Sequence, residues 1–164
     1  MPMYFEDFEV GQRFTTPART VTEADVVNFA GVSGDYNPIH TDAEFAKSTP
    51  FGQRIAHGLL VLSMLTGLRQ RTGHFEGTVI AWLEIRNYKF LKPVLIGDTV
   101  RGESEILEKR ETSKPDRGIL VQRQGNCGSV RPDAVVAMIE ILRGIGPAEL
   151  KGENFADVQG TNVN

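Results

Sequence analysis

A chain of 164 residues suits one domain with a substantial core. Its 18 Lys plus Arg against 21 Asp plus Glu supply no basic field of the kind that nucleic acid or an anionic membrane selects. The single cysteine, Cys127, excludes an internal disulfide framework, and the longest apolar run, at residues 59–65, is too short and interrupted to cross a bilayer. With no basic, apolar leader in the first residues, a soluble cytoplasmic protein is expected.

In chain order, residues 1–10 read as an arm that ends in a turn at Gly11. Residues 13–21 carry Phe14, Thr15, Thr16, Thr20 and Val21, which predicts a strand, with Pro17 marking an edge or a bulge. Thr22 is an N-cap with Glu23 and Asp25 in the first turn, and Val26, Val27, Phe29 and Ala30 form an apolar face up to Gly31 or Gly34. The helix therefore delivers Asp35 at its C-terminal exit.

Five positions separate Asp35 from His40. Fully extended, they would stand roughly 17 Å apart at about 3.4 Å per residue, and on a continuous helix they would face different ways. Pro38 fixes its own φ and biases Asn37 away from the α region, so the segment is expected to turn back on itself. A turn can bring the carboxylate and the imidazole to one water. The same residues also suit a capped turn, with Asp35 and Asn37 bonding backbone amides and His40 half buried, and the hexapeptide alone leaves both readings open. Thr41 or Asp42 can cap a further short helix through Ala46.

Residues 57–73 place Leu59, Leu60, Val61, Leu62, Met64, Leu65 and Leu68 in nearly every direction around a helical axis, as a central helix surrounded by protein requires. Gly58, Ser63, Thr66 and Gly67 are then where something other than a hydrocarbon side chain comes close. Arg69, Gln70 and Arg71 mark the end emerging into water. Residues 78–90, 98–111, 118–126 and 133–142 alternate partially between Val, Ile or Leu and charged residues, separated by turn-forming Pro, Asp and Ser, and predict four antiparallel strands joined by hairpins. The order fits an α+β class, a sheet wrapped on a helix. A single domain over 1–144 is expected, with a loosely ordered tail over 145–164.

Phe29, Ala30, Ser33, Gly34, Asp35, Asn37, Pro38, Ile39, His40 and Ala46 resemble the signature of the MaoC-like, or hydratase 2, family of (R)-specific enoyl-CoA hydratases. His57-Gly58 is similar to the family's His-Gly pair, and YKFLKPVLIGDTV at 88–100 to its strand and turn. The resemblance implies a hot-dog fold, in which an antiparallel sheet curls around a long helix, and a homodimer or an assembly of dimers. It also implies a hydro-lyase that adds water to trans-2-enoyl-CoA to give (R)-3-hydroxyacyl-CoA. Coenzyme A is then part of the substrate, and no separate cofactor is expected.

That reaction needs a base for a water proton, an acid for Cα and donors for the enolate oxygen. Asp35 and His40 supply the first two, an imidazole having an ordinary pKa of about 6.5. Which of them takes the water proton stays open. Gly58 opens a helix, where unpaired N–H groups and the absent Cβ let a thioester oxygen approach, so its N–H is the expected oxyanion donor. Thr66 stands where family members place a substrate-binding hydroxyl, with ordinary packing as its other reading. Asn37 and His57 complete the substrate side, His57 as a hydrogen-bonding residue beside the site. Arg54, Arg86, Lys89 and Lys92 are candidates for the coenzyme A phosphates.

His40, His57 and His74 lack the i, i+3 or i, i+4 spacing of a metal pair, so no metal is expected. No nucleotide-binding glycine motif and no G-x-S-x-G elbow is present. Two other readings stay in view: a hot-dog thioesterase that cleaves the thioester, and a non-catalytic acyl-CoA-binding subunit.

Overall fold

Pro17 splits the predicted first strand. In this computed structural model, which describes residues 1–86, 88–90 and 92–127 and, as backbone, the strand 135–142, β1 (Arg13–Thr15) and β2 (Arg19–Thr20) pair with different stretches of β4 (Thr99–Glu111). Proline has no N–H for the ladder. Thr16 bridges the break, its N–H donating to Gly102 O at 2.9 Å and its Oγ1 accepting from Gly102 N–H at 2.8 Å.

Helix α1 (Glu23–Ser33) starts at Thr22, whose Oγ1 accepts from Asp25 N–H while the Asp25 carboxylate accepts from Thr22 N–H. This reciprocal cap satisfies two otherwise orphaned donors. The helix stops at Gly34, with φ 74° and its N–H returned to Ala30 O, a left-handed conformation that glycine adopts without strain. Two short helices follow, α2 (Pro38–Thr41) and α3 (Ala43–Lys47), the second capped by Asp42. Helix α4 (Gly58–Gln70) is the long one.

Strands β3 (Val79–Arg86), β5 (Arg117–Cys127) and β6 (Val135–Leu142) join β1 and β4 in the order β1-β4-β5-β6-β3, all antiparallel. Strands β4, β5 and β6 are neighbours in sequence and in the sheet, as predicted. β3 departs from the predicted hairpins and pairs with β6 at the far edge. The chain between β3 and β4 spans residues 87–98, much longer than the two to five residues of a tight hairpin, and contains Pro93.

Leu60, Val61, Met64 and Leu68 of α4 pack with Val21, Val26, Val94 and Val100. A second cluster joins Phe75, Ile106 and Leu120 to Phe5 and Phe8. The N-terminal residues are therefore part of the core rather than an arm, because two phenylalanines of one short 3-10 turn region fill its end. Helix α4 is not enclosed all round, since Leu59 is 57% exposed.

Arg69 reverses its expectation. It is 5% exposed, its guanidinium lying 4.5 Å from the ring centre of Phe75 and 5.0 Å from that of Trp82. Helical side chains lean toward the N-terminal turn, which carries Arg69 back over the core while Gln70 and Arg71 face water. Burial lowers its pKa to about 10, leaving it charged at neutral pH. No helix among the described residues is long and apolar enough to cross a membrane. The predicted tail at 145–164 and the Cys127 side chain lie outside what is described.

Candidate active site

Gly34 ends α1 and turns the chain into Asp35, whose three groups are each engaged. The N–H donates to Ser33 Oγ at 3.2 Å, Oδ1 accepts from Asn37 N–H at 3.2 Å, and the main-chain carbonyl accepts from His57 Nε2 at 2.9 Å. Asn37 in turn caps α2, its Oδ1 accepting from Ile39 N–H at 3.2 Å, with Pro38 at the first helical position. One turn of α2 then places His40 back toward Asp35. The capped-turn reading describes this loop, and its caps are what bring the His40 ring toward Asp35.

His40 is fixed from the other side. Ile55 N–H donates to Ile39 O, Ala56 N–H donates to Val94 O, and Ile55 bridges to Leu95, so the segment before α4 is pinned between α2 and the chain entering β4. Ile55 O accepts from His40 Nδ1 at 2.8 Å. A carbonyl can only accept, so Nδ1 carries the hydrogen and Nε2 keeps a lone pair. By the same logic His57 donates through Nε2, and its buried Nδ1 has no partner among the described residues. The rings of His40 and His57 stack, with centroids 3.8 Å apart and planes 28° from parallel, and the Phe29 ring packs tilted against His57 at 5.1 Å.

A carboxylate oxygen of Asp35 and one ring nitrogen each of His40 and His57 thus lie within 4.8 Å of one another. Asp35 is exposed, His40 half-buried and His57 buried. Such a trio can hold a metal in principle. Each histidine engages one ring nitrogen with a main-chain carbonyl, which leaves the other for a shared water or another ligand.

Gly58 follows directly. His57 is the N-cap of α4 and its side chain makes no bond to the helix start, so the first N–H groups are not capped by it. Tyr88, its pKa raised by burial, donates its hydroxyl to Gly58 O at 3.0 Å. Phe90 lies over the Gly58 α-carbon, where a Cβ would stand 1.8 Å from the ring. The close neighbour at this glycine is therefore a hydrocarbon ring, contrary to expectation. Thr66, two turns along, donates its hydroxyl to Leu62 O at 3.0 Å and keeps a lone pair free.

Ile55, Tyr88 and Phe90 escaped the sequence reading. Tyr88 and Phe90 fall within the 88–100 motif, but nothing in their spacing shows that they reach back to a glycine thirty positions earlier. Of the phosphate candidates, Arg54 pairs with Glu23 and Arg86 with Glu84, while Lys89 and Lys92 are exposed.

Residues 7–123 match the family described as MaoC like domain. The chain is 40% identical over 114 residues to Protein MaoC of Klebsiella aerogenes, covering 70% of this chain and 33% of that one. It is 33% identical over 138 residues to the (R)-specific enoyl-CoA hydratase of Aeromonas caviae, covering 83% and 99%. The chain thus spans a third of the first relative and nearly all of the second. Among solved structures, the monoamine oxidase regulatory protein from Archaeoglobus fulgius superposes with a TM-score of 0.74 at 36% identity, over 87% of this chain and 94% of that one. A double hot-dog protein of Mycobacterium tuberculosis shares the fold at a TM-score of 0.69 and 19% identity, over 99% of this chain and 53% of that one. The sheet and α4 form a hot-dog fold.

Proposed function

The chain belongs to the MaoC-like domain family, and on that premise we propose that it is a hydro-lyase that adds water reversibly to trans-2-enoyl-CoA, giving (R)-3-hydroxyacyl-CoA. The observation that carries this reading is the meeting of the Asp35 carboxylate with the His40 and His57 rings beside the start of α4. Support comes also from a relative named (R)-specific enoyl-CoA hydratase that the chain matches over nearly its full length.

A water donating to the Asp35 carboxylate and to His40 Nε2 would have its oxygen lone pairs turned outward, toward C3 of a bound enoyl thioester. The pair, as a unit, takes one proton while the hydroxide adds to C3 and the electron pair of the double bond moves onto the thioester oxygen. Gly58 N–H, at the positive end of the α4 dipole, stabilises that enolate. The pair then returns its proton to C2, and no net proton is gained or lost. His57 holds Asp35 by its carbonyl and His40 by stacking, Asn37 shapes the turn between them, and Thr66 lies on the acyl side.

A homodimer is part of this reading. β3 is an edge strand, and its Leu83 and Ile85 are exposed together with Phe90 and Leu59, an apolar set that a second copy would cover.

The test is the purified chain on crotonyl-CoA, followed by loss of the conjugated thioester absorbance and by free-thiol release in parallel. Absorbance loss without free thiol, with the (R)-alcohol as product, is the expected result. Stoichiometric thiol release would assign a thioesterase, and no turnover across short to long enoyl-CoAs would leave a binding subunit.

A further inference from the structure

The start of α4 carries the N–H meant for the thioester oxygen, yet the helix itself does little to hold that start. Its N-cap, His57, makes no side-chain bond to the first turn, its first residue is a glycine, and the next, Leu59, is exposed. Helix ends fray, and glycine loses more backbone freedom on folding than any other residue. Within the helix, Val61 N–H donates to His57 O at 3.2 Å and closes the first turn.

Two side chains fasten this turn to the rest of the fold. One is His57, whose Nε2 donates to Asp35 O at 2.9 Å. The other is Tyr88, in the link between β3 and β4, whose hydroxyl donates to Gly58 O at 3.0 Å. A carbonyl has two lone pairs, so this bond adds to the helical one rather than replacing it. Tyr88 is itself anchored. Its half-buried ring packs against the core cluster that holds Phe75 and Leu120, and it meets the Phe90 ring edge-on, with centroids 4.7 Å apart and planes at 81°. Phe90 in turn lies over the Gly58 α-carbon.

A continuous series of bonds thus runs from Asp35 through His57 and Gly58 to Tyr88, and it sets how far the carboxylate stands from the Gly58 N–H. Hydration needs that spacing fixed, because hydroxide adds at C3 while charge gathers on the thioester oxygen. On the premise of the hydro-lyase reading, we propose that Tyr88 is a positioning residue for the reaction: by holding Gly58 O it keeps the Gly58 N–H aimed at the thioester oxygen. With its carbonyl held, the glycine cannot swing about its own φ and ψ. Tyr88 acts through Gly58 and not on the substrate. Burial raises its pKa, so the hydroxyl remains a donor at neutral pH and above.

Tyr88→Phe keeps the ring and its packing and removes only the hydroxyl. In the full chain at saturating crotonyl-CoA, kcat is expected to fall about tenfold with KM within about twofold, the split that marks an interaction made in the transition state. Tm is expected to stay within about 4 °C, the size of one hydrogen bond. In a Gly58→Ala background the same change should cost less than about twofold further, because the donor it serves is already obstructed. Hydrogen exchange reads the tether without turnover: the Val61 and Leu62 amides, in the first turn, should exchange about tenfold faster in Tyr88→Phe than in the unaltered chain. Unchanged kcat, unchanged exchange at these two amides, or equal fold-losses in the two backgrounds would overturn the proposal and leave the hydro-lyase reading standing. An unaltered chain that hydrates no enoyl-CoA would remove that reading and the proposal with it.

Discussion

Replacing Gly58 with alanine separates two demands on one position. A Cβ there would lie 1.8 Å from Phe90 Cε1 and 2.4 Å from Cδ1. Ordinary contact begins near 3.4 Å, so the ring must retreat by about 1.6 Å. Phe90 is 65% exposed and free to swing outward, so the cost to folding should be small, offset further by the better helix propensity of alanine. The cost to catalysis should be large, because the added methyl stands beside the N–H meant for the thioester oxygen. Loss of one such donor is worth about 3 kcal/mol, a fall of 10²–10³ in kcat. Crotonyl-CoA hydration and a thermal melt on the same preparation give both numbers. A Gly58→Ala protein that keeps its rate within about threefold would refute the oxyanion role. A melt lowered by more than about 10 °C would show instead that Phe90 cannot move.

Other consequences follow from the same geometry. His57→Phe preserves a ring to stack on His40 but removes the bond to Asp35 O, and kcat is expected to fall about tenfold or more while the fold holds; unchanged kcat would show that the loop needs no such tether. Phe8→Ala empties a fully buried site and should cost about 3–5 kcal/mol in urea unfolding, where an arm outside the core would cost almost nothing. Burial pushes the Asp25 carboxyl up, but bonds from the Thr22 N–H and hydroxyl, together with Arg19, outweigh it and hold the pKa below 3.8. A depressed carboxylate contributes stability above its unfolded value and loses it as pH falls through the folded one. Asp25→Asn should therefore be less stable by about 1 kcal/mol at neutral pH, and the gap should close below the depressed pKa; a gap that persists in strong acid would contradict this.

Local chemistry made α1 and the Asp35 loop legible in the sequence. Thr22 and Gly34 bracket the first helix, Asp42 caps the third, and Pro38 with Asn37 forces the return toward Asp35. Asp35 and His40 could be paired because their separation fails both the extended and the helical geometry and leaves a turn. What stayed hidden depends on contacts between distant segments. No local pattern shows that β3 crosses to β6, that Phe5 and Phe8 fill the end of the core, or that Ile55 fixes the His40 tautomer. Arg69 misled because a charged residue at the end of an apolar helix ordinarily meets water, and only the positions of Phe75 and Trp82 show why this one does not.

The central claim is that Asp35 and His40 act on one water as a unit. Hydration of crotonyl-CoA by Asp35→Asn, His40→Gln and the double variant, each confirmed folded, measures it directly. Each single change is expected to lower the rate by orders of magnitude, and the double variant to be little slower than the worse single one. Near-native rates in either single variant, or losses that multiply in the double variant, would contradict it.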